Sequence, residues 1–266
     1  MKKKIIISLI ITASIITACR QHAPTVKPGD GTDPLSMAIL FQYYSSEYKA
    51  LACQAYNSGK DYLALIASGN KASELAVVVD IDETVLDNSP YQARAIVDGF
   101  SYPEFWNEWC RLAEAKPVPG SLDFLDFADS LGFRIFYISN RKKDFVLDAT
   151  LQNLRNEGFP QVSEETVLLR EEESEANPNP PDKEARRNMV RSKGLEIILL
   201  AGDNLGDFFS DTGKQATRDS LVFSNKSLFG KTYLVLPNPM YGNWPASIGL
   251  TGPADSIMAR LKEMSF

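Results

Sequence analysis

At 266 residues the chain has room for one large α/β domain, or for a core with a smaller addition, and 44% hydrophobic against 23% charged residues can build a real core. The formal charge is −6, and loss of an N-terminal segment carrying Lys2, Lys3 and Lys4 would leave 25 basic against 34 acidic residues, a net −9. That balance argues against a nucleic-acid polymer as partner, and a single histidine, His22, removes a Ser-His-Asp triad, phosphohistidine chemistry and a His-ligated zinc centre.

The three lysines precede an apolar run over residues 5–16, too short for a comfortable membrane span, and small residues then lead to Cys19. This is the form of an export signal. Ile16-Thr17-Ala18-Cys19 resembles the bacterial lipoprotein box, which implies removal of residues 1–18 and a lipid on Cys19; an ordinary secretory peptide is the alternative. Two or more acyl chains, at about 0.8 kcal/mol per buried CH2, would hold the protein on a membrane. The expectation is an exported, membrane-anchored lipoprotein of the bacterial outer membrane or cell surface.

Residues 19–32, rich in Pro and Gly and without periodicity, read as a flexible tether, and residues 33–266 as the folded domain. Asp33 can cap a helix with Pro34 at its first position; Met37, Leu40, Phe41, Tyr44, Tyr48, Leu51 and Ala55 follow at helical spacing. Asn57-Ser58-Gly59 is expected to interrupt that pattern before a second short helix. These helices precede the first strand and form an addition to the core. Cys53 and Cys110, both in apolar helical patterns, leave a disulfide and two buried thiols equally open.

The first strand is expected at 75–80, a continuous apolar run of the kind buried on both faces of a parallel sheet. Similar runs recur at 134–139, 166–169, 196–201 and 232–236, with helical patterns at 121–130, 144–157 and 182–191 between them. Alternating strands and helices predict βαβ units and a mostly parallel sheet. Residues 170–182 differ: Glu171, Glu172, Glu173 and Glu175 run into Asn177-Pro178-Asn179-Pro180-Pro181, which reads as a solvated loop rather than a metal site.

Open parallel sheets bind ligands beyond the carboxyl ends of their strands. Three strand ends deliver chemistry to that edge: Asp80-Ile81-Asp82-Glu83-Thr84, Ser139-Asn140-Arg141, and Gly202-Asp203-Asn204-Leu205-Gly206-Asp207. One acidic cluster after a strand is commonly a turn or a cap. Three together point to a site.

Asp80-x-Asp82-x-Thr84, Ser139, Lys183 and Gly202-Asp203-x-x-x-Asp207 resemble the four ordered motifs of the haloacid-dehalogenase (HAD) superfamily. The stretches from Val79 to Tyr91 and from Ile198 to Phe208 are similar to the two signatures of its class C acid phosphatases, bacterial lipoproteins and secreted nonspecific phosphatases. The likeness implies a Rossmann-like α/β core, Mg2+ as cofactor, and phosphomonoesters such as nucleotides and aryl phosphates as substrates, with 5′-nucleotidase activity expected. It also leaves room for a homodimer. It implies Asp80 as nucleophile, passing through an aspartyl-phosphate, and Asp82 as general acid and then base. The Asp80 and Asp203 side chains and the Asp82 carbonyl would hold the metal. Ser139 and Asn140 would bind phosphoryl oxygens and Lys183 would offset developing charge, with Arg186 as the alternative cation. Thr84 would fix the Asp82 loop, and Asp207 would orient Lys183 or a water on the metal. Arg141 could serve substrate or pair with a carboxylate.

Trp106 and Tyr241 match positions that sandwich the organic part of the substrate in that family, while Trp109 at helical spacing reads as packing. Two other classes stay in view: a receiver-like phosphate switch, and a catalytically silent surface phosphate-binding lipoprotein. Export argues against the first, and the intact Asp80, Asp82 and Asp203 against the second.

Overall fold

The structure, a computed structural model, describes residues 33–69, 71–172, 181–250 and 254–264. The export signal, Cys19, the tether with His22, and residues 173–180 of the acidic and proline-rich loop lie outside the described residues. Two helices come first, α1 (Ser36–Tyr44) and α2 (Ser46–Ala67). Asp33 Oδ1 accepts the Leu35 N–H at 2.8 Å in the turn that leads into α1. The break falls at Ser45, whose extended backbone and hydroxyl, accepting the Tyr48 N–H at 2.9 Å, cap α2. Asn57-Ser58-Gly59 does not interrupt α2, contrary to the expectation from sequence. Gly59 is there for closeness: a Cβ on it would stand 2.5 Å from Leu234 Cδ1 and 2.8 Å from Phe124 Cε2.

The chain then runs β1 (Leu75–Val79), β2 (Leu86–Asp87), α3 (Ser89–Asp98), α4 (Trp106–Leu112), β3 (Lys116–Pro117) and α5 (Ser121–Ser130). It continues with β4 (Arg134–Lys142), α6 (Lys143–Asn156), β5 (Val167–Arg170), α7 (Glu184–Arg191) and β6 (Glu196–Gly202). It closes with α8 (Gln215–Ser224), β7 (Tyr233–Val235), α9 (Trp244–Ser247) and α10 (Ala254–Met264). The five long strands form one parallel sheet in the order β5-β4-β1-β6-β7, and β2 pairs with β3 in a small antiparallel ladder. This is an α/β sheet flanked by helices, as the apolar runs imply.

The strands read as unbroken apolar runs because each face is covered. Val77 and Val79 of β1 enter one core with Ile135, Tyr137 and Leu199, closed by Tyr48, Tyr56 and Leu63 of α2 and by Phe124, Leu125, Leu151 and Leu154 of α5 and α6. Ala76 and Val78 face the other way, with Phe136, Ile138 and Leu200, under Val190 of α7 and Phe208. The N-terminal addition is thus a covering layer of the sheet. Cys110 is buried in the first core and Cys53 is half-buried; both are free thiols. Among the described residues no helix is long and apolar enough to cross a membrane.

Candidate active site

The chain leaves β1 toward β4 and β5, then returns to the other side of β1 for β6 and β7. This reversal opens a crevice at the carboxyl end of β1. Asp80 and Asp82 follow β1, Ser139, Asn140 and Arg141 lie near the carboxyl end of β4, and Asp203 follows β6. The edge holds a cavity of about 960 Å³, lined by Asp80, Asp82, Asn140, Arg141, Lys183, Asp203 and Asp207 at its floor.

On the β1–β6 side three carboxylates converge. Oxygens of Asp80, Asp203 and Asp207 lie within 4.8 Å of one another. Lys183, just before α7, sits between two of them, donating to Asp80 Oδ1 and, at 2.6 Å, to Asp207 Oδ1. The other Asp207 oxygen accepts the Asn204 N–H at 2.9 Å, closing the short helical turn after β6. Asn238 donates to Asp203 Oδ2 at 2.7 Å. Burial pushes the Asp80 carboxyl up to about 7, with Lys183 opposing and Asp207 and Asp82 adding to the rise. Burial likewise raises Asp203 well above its ordinary value, helped by Asp207 and Asp80. Burial works against the Lys183 ammonium, but Asp207 and Asp80 override it and keep its pKa raised. Three carboxylates around one ammonium form an under-neutralised set of hard oxygens, and such a set could hold a divalent cation.

On the β1–β4 side the Asp82 carboxylate is matched by a cation. Arg141 is buried and binds Asp82 through Nη2 at 2.8 Å and Nε at 2.9 Å, both to Oδ1. The same oxygen accepts from Asn88 Nδ2 at 2.9 Å, and Oδ2 accepts from the Ser139 hydroxyl at 3.0 Å. Burial disfavours the Arg141 charge, yet Asp82 overrides it and raises the guanidinium pKa above its ordinary value. Arg141 also lies 5.7 Å from the Trp106 ring centroid and donates to Thr150 at 3.2 Å. Of the two uses open to Arg141, the structure has the carboxylate pairing.

Ser139 is fully buried and lies behind the cavity wall, its hydroxyl given to Asp82. Thr84 points its hydroxyl at Asp80, 3.4 Å away, rather than at Asp82, and the Thr84 carbonyl accepts from Tyr56 of α2 at 2.5 Å. Arg186 donates to the Ser139 carbonyl and to Asn140 Oδ1 at 2.7 Å, bracing the end of β4. Burial draws its guanidinium down to about 10. Lys183, not Arg186, is therefore the cation against Asp80.

The rest of the lining includes apolar residues from two stretches of chain: Ile96, Phe100, Tyr102 and Trp106 from α3 to the start of α4, and Met240 and Tyr241 after β7. Trp106 stacks edge-on against Tyr91 and Tyr102. Trp109 packs on the core and donates to Asn88 at 2.8 Å. Sequence reasoning missed Asn88, Asn238 and Glu83. Glu83 is fully buried with φ 58°, and its Oε1 accepts the Asn88 N–H at 2.8 Å. Burial, then Asp82 and Asp203, raise its carboxyl well above the usual range.

The family model described as HAD superfamily, subfamily IIIB (acid phosphatase) matches residues 7–244. The chain belongs to this family. A class C acid phosphatase from Bacillus anthracis, solved with tungstate bound, superposes on this HAD chain with TM-score 0.76 at 39% identity, covering 87% of this chain and 97% of that one. Acid phosphatase 1 of Solanum lycopersicum is 28% identical over 166 residues, which cover 62% of this chain and 57% of that protein. The stem 28 kDa glycoprotein of Glycine max is 27% identical over 205 residues, covering 75% of this chain and 70% of that one. The match to the tomato enzyme thus takes in less than two thirds of its length.

Proposed function

We propose that the protein is a phosphomonoester hydrolase in which Asp80 attacks phosphorus and Asp82 serves the leaving group. The observation that carries this reading is the meeting of Asp80, Lys183, Asp203 and Asp207 on the cavity floor, with Asp82 two residues on and turned to the opposite wall. Asp80 displaces the alcohol and takes the phosphoryl group onto its own oxygen, and hydrolysis of that aspartyl-phosphate completes turnover. Lys183 lies against the attacking carboxylate and offsets charge on the phosphoryl oxygens as the bond to the leaving group lengthens. Asp82 hands a proton to the departing oxygen and retrieves one from water in the second half. Arg141 and Asn88 hold Asp82 in one rotamer for both tasks.

Asp80, Asp203 and the Asp82 carbonyl, with Asp207 close by, would hold Mg2+, which supplies charge neutralisation between an anionic nucleophile and an anionic ester. Trp106 and Tyr241 would receive a flat leaving group, which favours 5′-nucleotides and aryl phosphates over glycerol phosphate. The tungstate of the Bacillus anthracis relative, a tetrahedral oxyanion, supports a phosphate-shaped floor. Turnover of para-nitrophenyl phosphate, lost on chelation and restored by Mg2+, tests the reading; a metal-replete protein that hydrolyses no phosphomonoester would sink it. We further propose attachment to the outer membrane or cell surface through lipid on Cys19. Mass spectrometry of the mature N-terminus decides this, and an unmodified terminus at any other residue rules it out.

A further inference from the structure

Three cations line the cavity among the described residues: Arg141, Lys183 and Arg170. The first two are built into the floor by the carboxylates they bind. Arg170 is different. It is the last residue of β5, half-buried, and among the described residues its side chain makes no hydrogen bond or ion pair. Among the described residues, the carboxylates next along the chain are engaged elsewhere. Glu171 pairs with Lys143 at 2.6 Å and Glu172 with Lys142 at 3.9 Å. Asp182 accepts the Glu184 N–H at 2.9 Å and lies 3.9 Å from Arg187. The protein supplies neighbours with partners and leaves this guanidinium open to the cavity.

Its position gives the uncommitted charge a use. Arg170 sits opposite Lys142 in the β4–β5 ladder, one residue beyond the pair Ser139 and Leu169. Sheet order puts β5 two strands from β1, so its backbone lies about 10 Å from that of Asp80 along the sheet edge. A guanidinium extended into the shared cavity falls short of the phosphoryl group on Asp80 but within reach of the far end of the same substrate. Arginine forks match phosphate and carboxylate, and the bond is charge-assisted.

We propose that Arg170 forms an anion subsite that binds a second phosphate or carboxylate carried on the leaving group of the ester. The inference rests on the phosphomonoesterase reading above. Doubly anionic substrates, such as sugar bisphosphates and carboxylated phosphomonoesters, are then favoured over neutral-tailed esters of the same size.

Matched pairs test it on the full chain with Mg2+: phenyl phosphate against 4-carboxyphenyl phosphate, and fructose 6-phosphate against fructose 1,6-bisphosphate. The expected preference for the more anionic member is on the order of tenfold in kcat/KM, carried by KM, and shrinks as salt is raised. The carboxylate and phosphate arms report which anion the subsite takes. Arg170→Gln brings both ratios toward one, while Arg170→Lys keeps part of the preference. Ratios near one in the wild type, or unchanged in Arg170→Gln, overturn the subsite. Calorimetric titration of the Asp80→Asn variant with the aryl pair separates the two readings. Preferential binding of the carboxylated ester without wild-type turnover faults the catalytic reading alone; turnover without preference faults the subsite alone.

Discussion

The two halves of the active-site edge are built from the same residue types and end in opposite electrostatic states. Around Asp82 the carboxylate has its answer: Arg141, Asn88 and Ser139 all donate to it. Around Asp80 the count fails, since Asp203 and Asp207 crowd the same volume and the Lys183 ammonium pairs with Asp80 and Asp207 alone of the three. Burying unpaired carboxylates is costly, so a fold keeps such a cluster only where something neutralises it. On the reading proposed above, the matched half is a positioned acid-base group, and the unmatched half could hold a divalent cation beside an anionic substrate.

The largest break comes from removing the proposed nucleophile. Asp80→Asn should cut kcat by at least about a thousandfold on every phosphomonoester, since it deletes the attacking charge at nearly constant shape. Retained activity in the purified variant would end the mechanism proposed here. The same substitution relieves crowding, so the metal-free variant should melt higher than metal-free wild type near pH 7.5, by several degrees. Loss of activity and gain of stability together are the mark of an under-neutralised site.

Acidity sharpens the contrast further. Asp80 binds its proton more tightly folded than unfolded, its pKa rising from 3.8 to about 7, and Asp203 shifts in the same direction. The stability this contributes is full below pH 3.8 and is lost as pH climbs through about 7. Thermal melts of the chelated protein should therefore fall between pH 5 and pH 8, and saturating Mg2+ should flatten the decline. A chelated melting curve level across that window would mean that the cluster is not strained.

How much of this was readable in advance follows from the range of each interaction. Strands buried on both faces leave an unbroken local signature, so β1, β4, β5, β6 and β7 were legible, and with them the strand ends carrying Asp80, Ser139 and Asp203. Arg141 meets Asp82 across 59 residues and Asn238 meets Asp203 across 35. No window of sequence shows such partners. Gly59 read as a helix breaker because local rules see its flexibility and not Phe124 and Leu234 pressing on the place of its missing Cβ. Gly59→Ala should accordingly destabilise by about 1–3 kcal/mol, where an exposed helical glycine would gain from the change.

Breaking the matched half should cost less than breaking the unmatched one. Arg141→Gln frees Asp82 from its main anchor, and a general acid matters most when the departing oxygen is poor. The loss should be about a hundredfold for alkyl phosphates and less than about tenfold for para-nitrophenyl phosphate. Equal losses on both would assign Arg141 to folding or to phosphate binding instead of to holding Asp82.

The aromatic walls carry the smallest effects, and the two rings should not behave alike. Tyr241 lines the cavity beside Met240, and its N–H reaches toward Asn238 Oδ1 at 3.4 Å. Tyr241→Ala should raise KM for nucleotides by about tenfold and leave kcat nearly unchanged, because it removes binding energy remote from the reacting centre. Trp106 stands 5.7 Å from the Arg141 guanidinium, which in turn holds Asp82. Trp106→Ala should therefore raise KM and also lower kcat severalfold, with the kcat loss confined to esters that need an acid. Small aliphatic esters, which gain nothing from stacking, should show the kcat loss in Trp106→Ala and almost no change in Tyr241→Ala. Identical profiles for the two variants would reduce both rings to walls of the cavity and cut the link from the slot through Arg141 to Asp82.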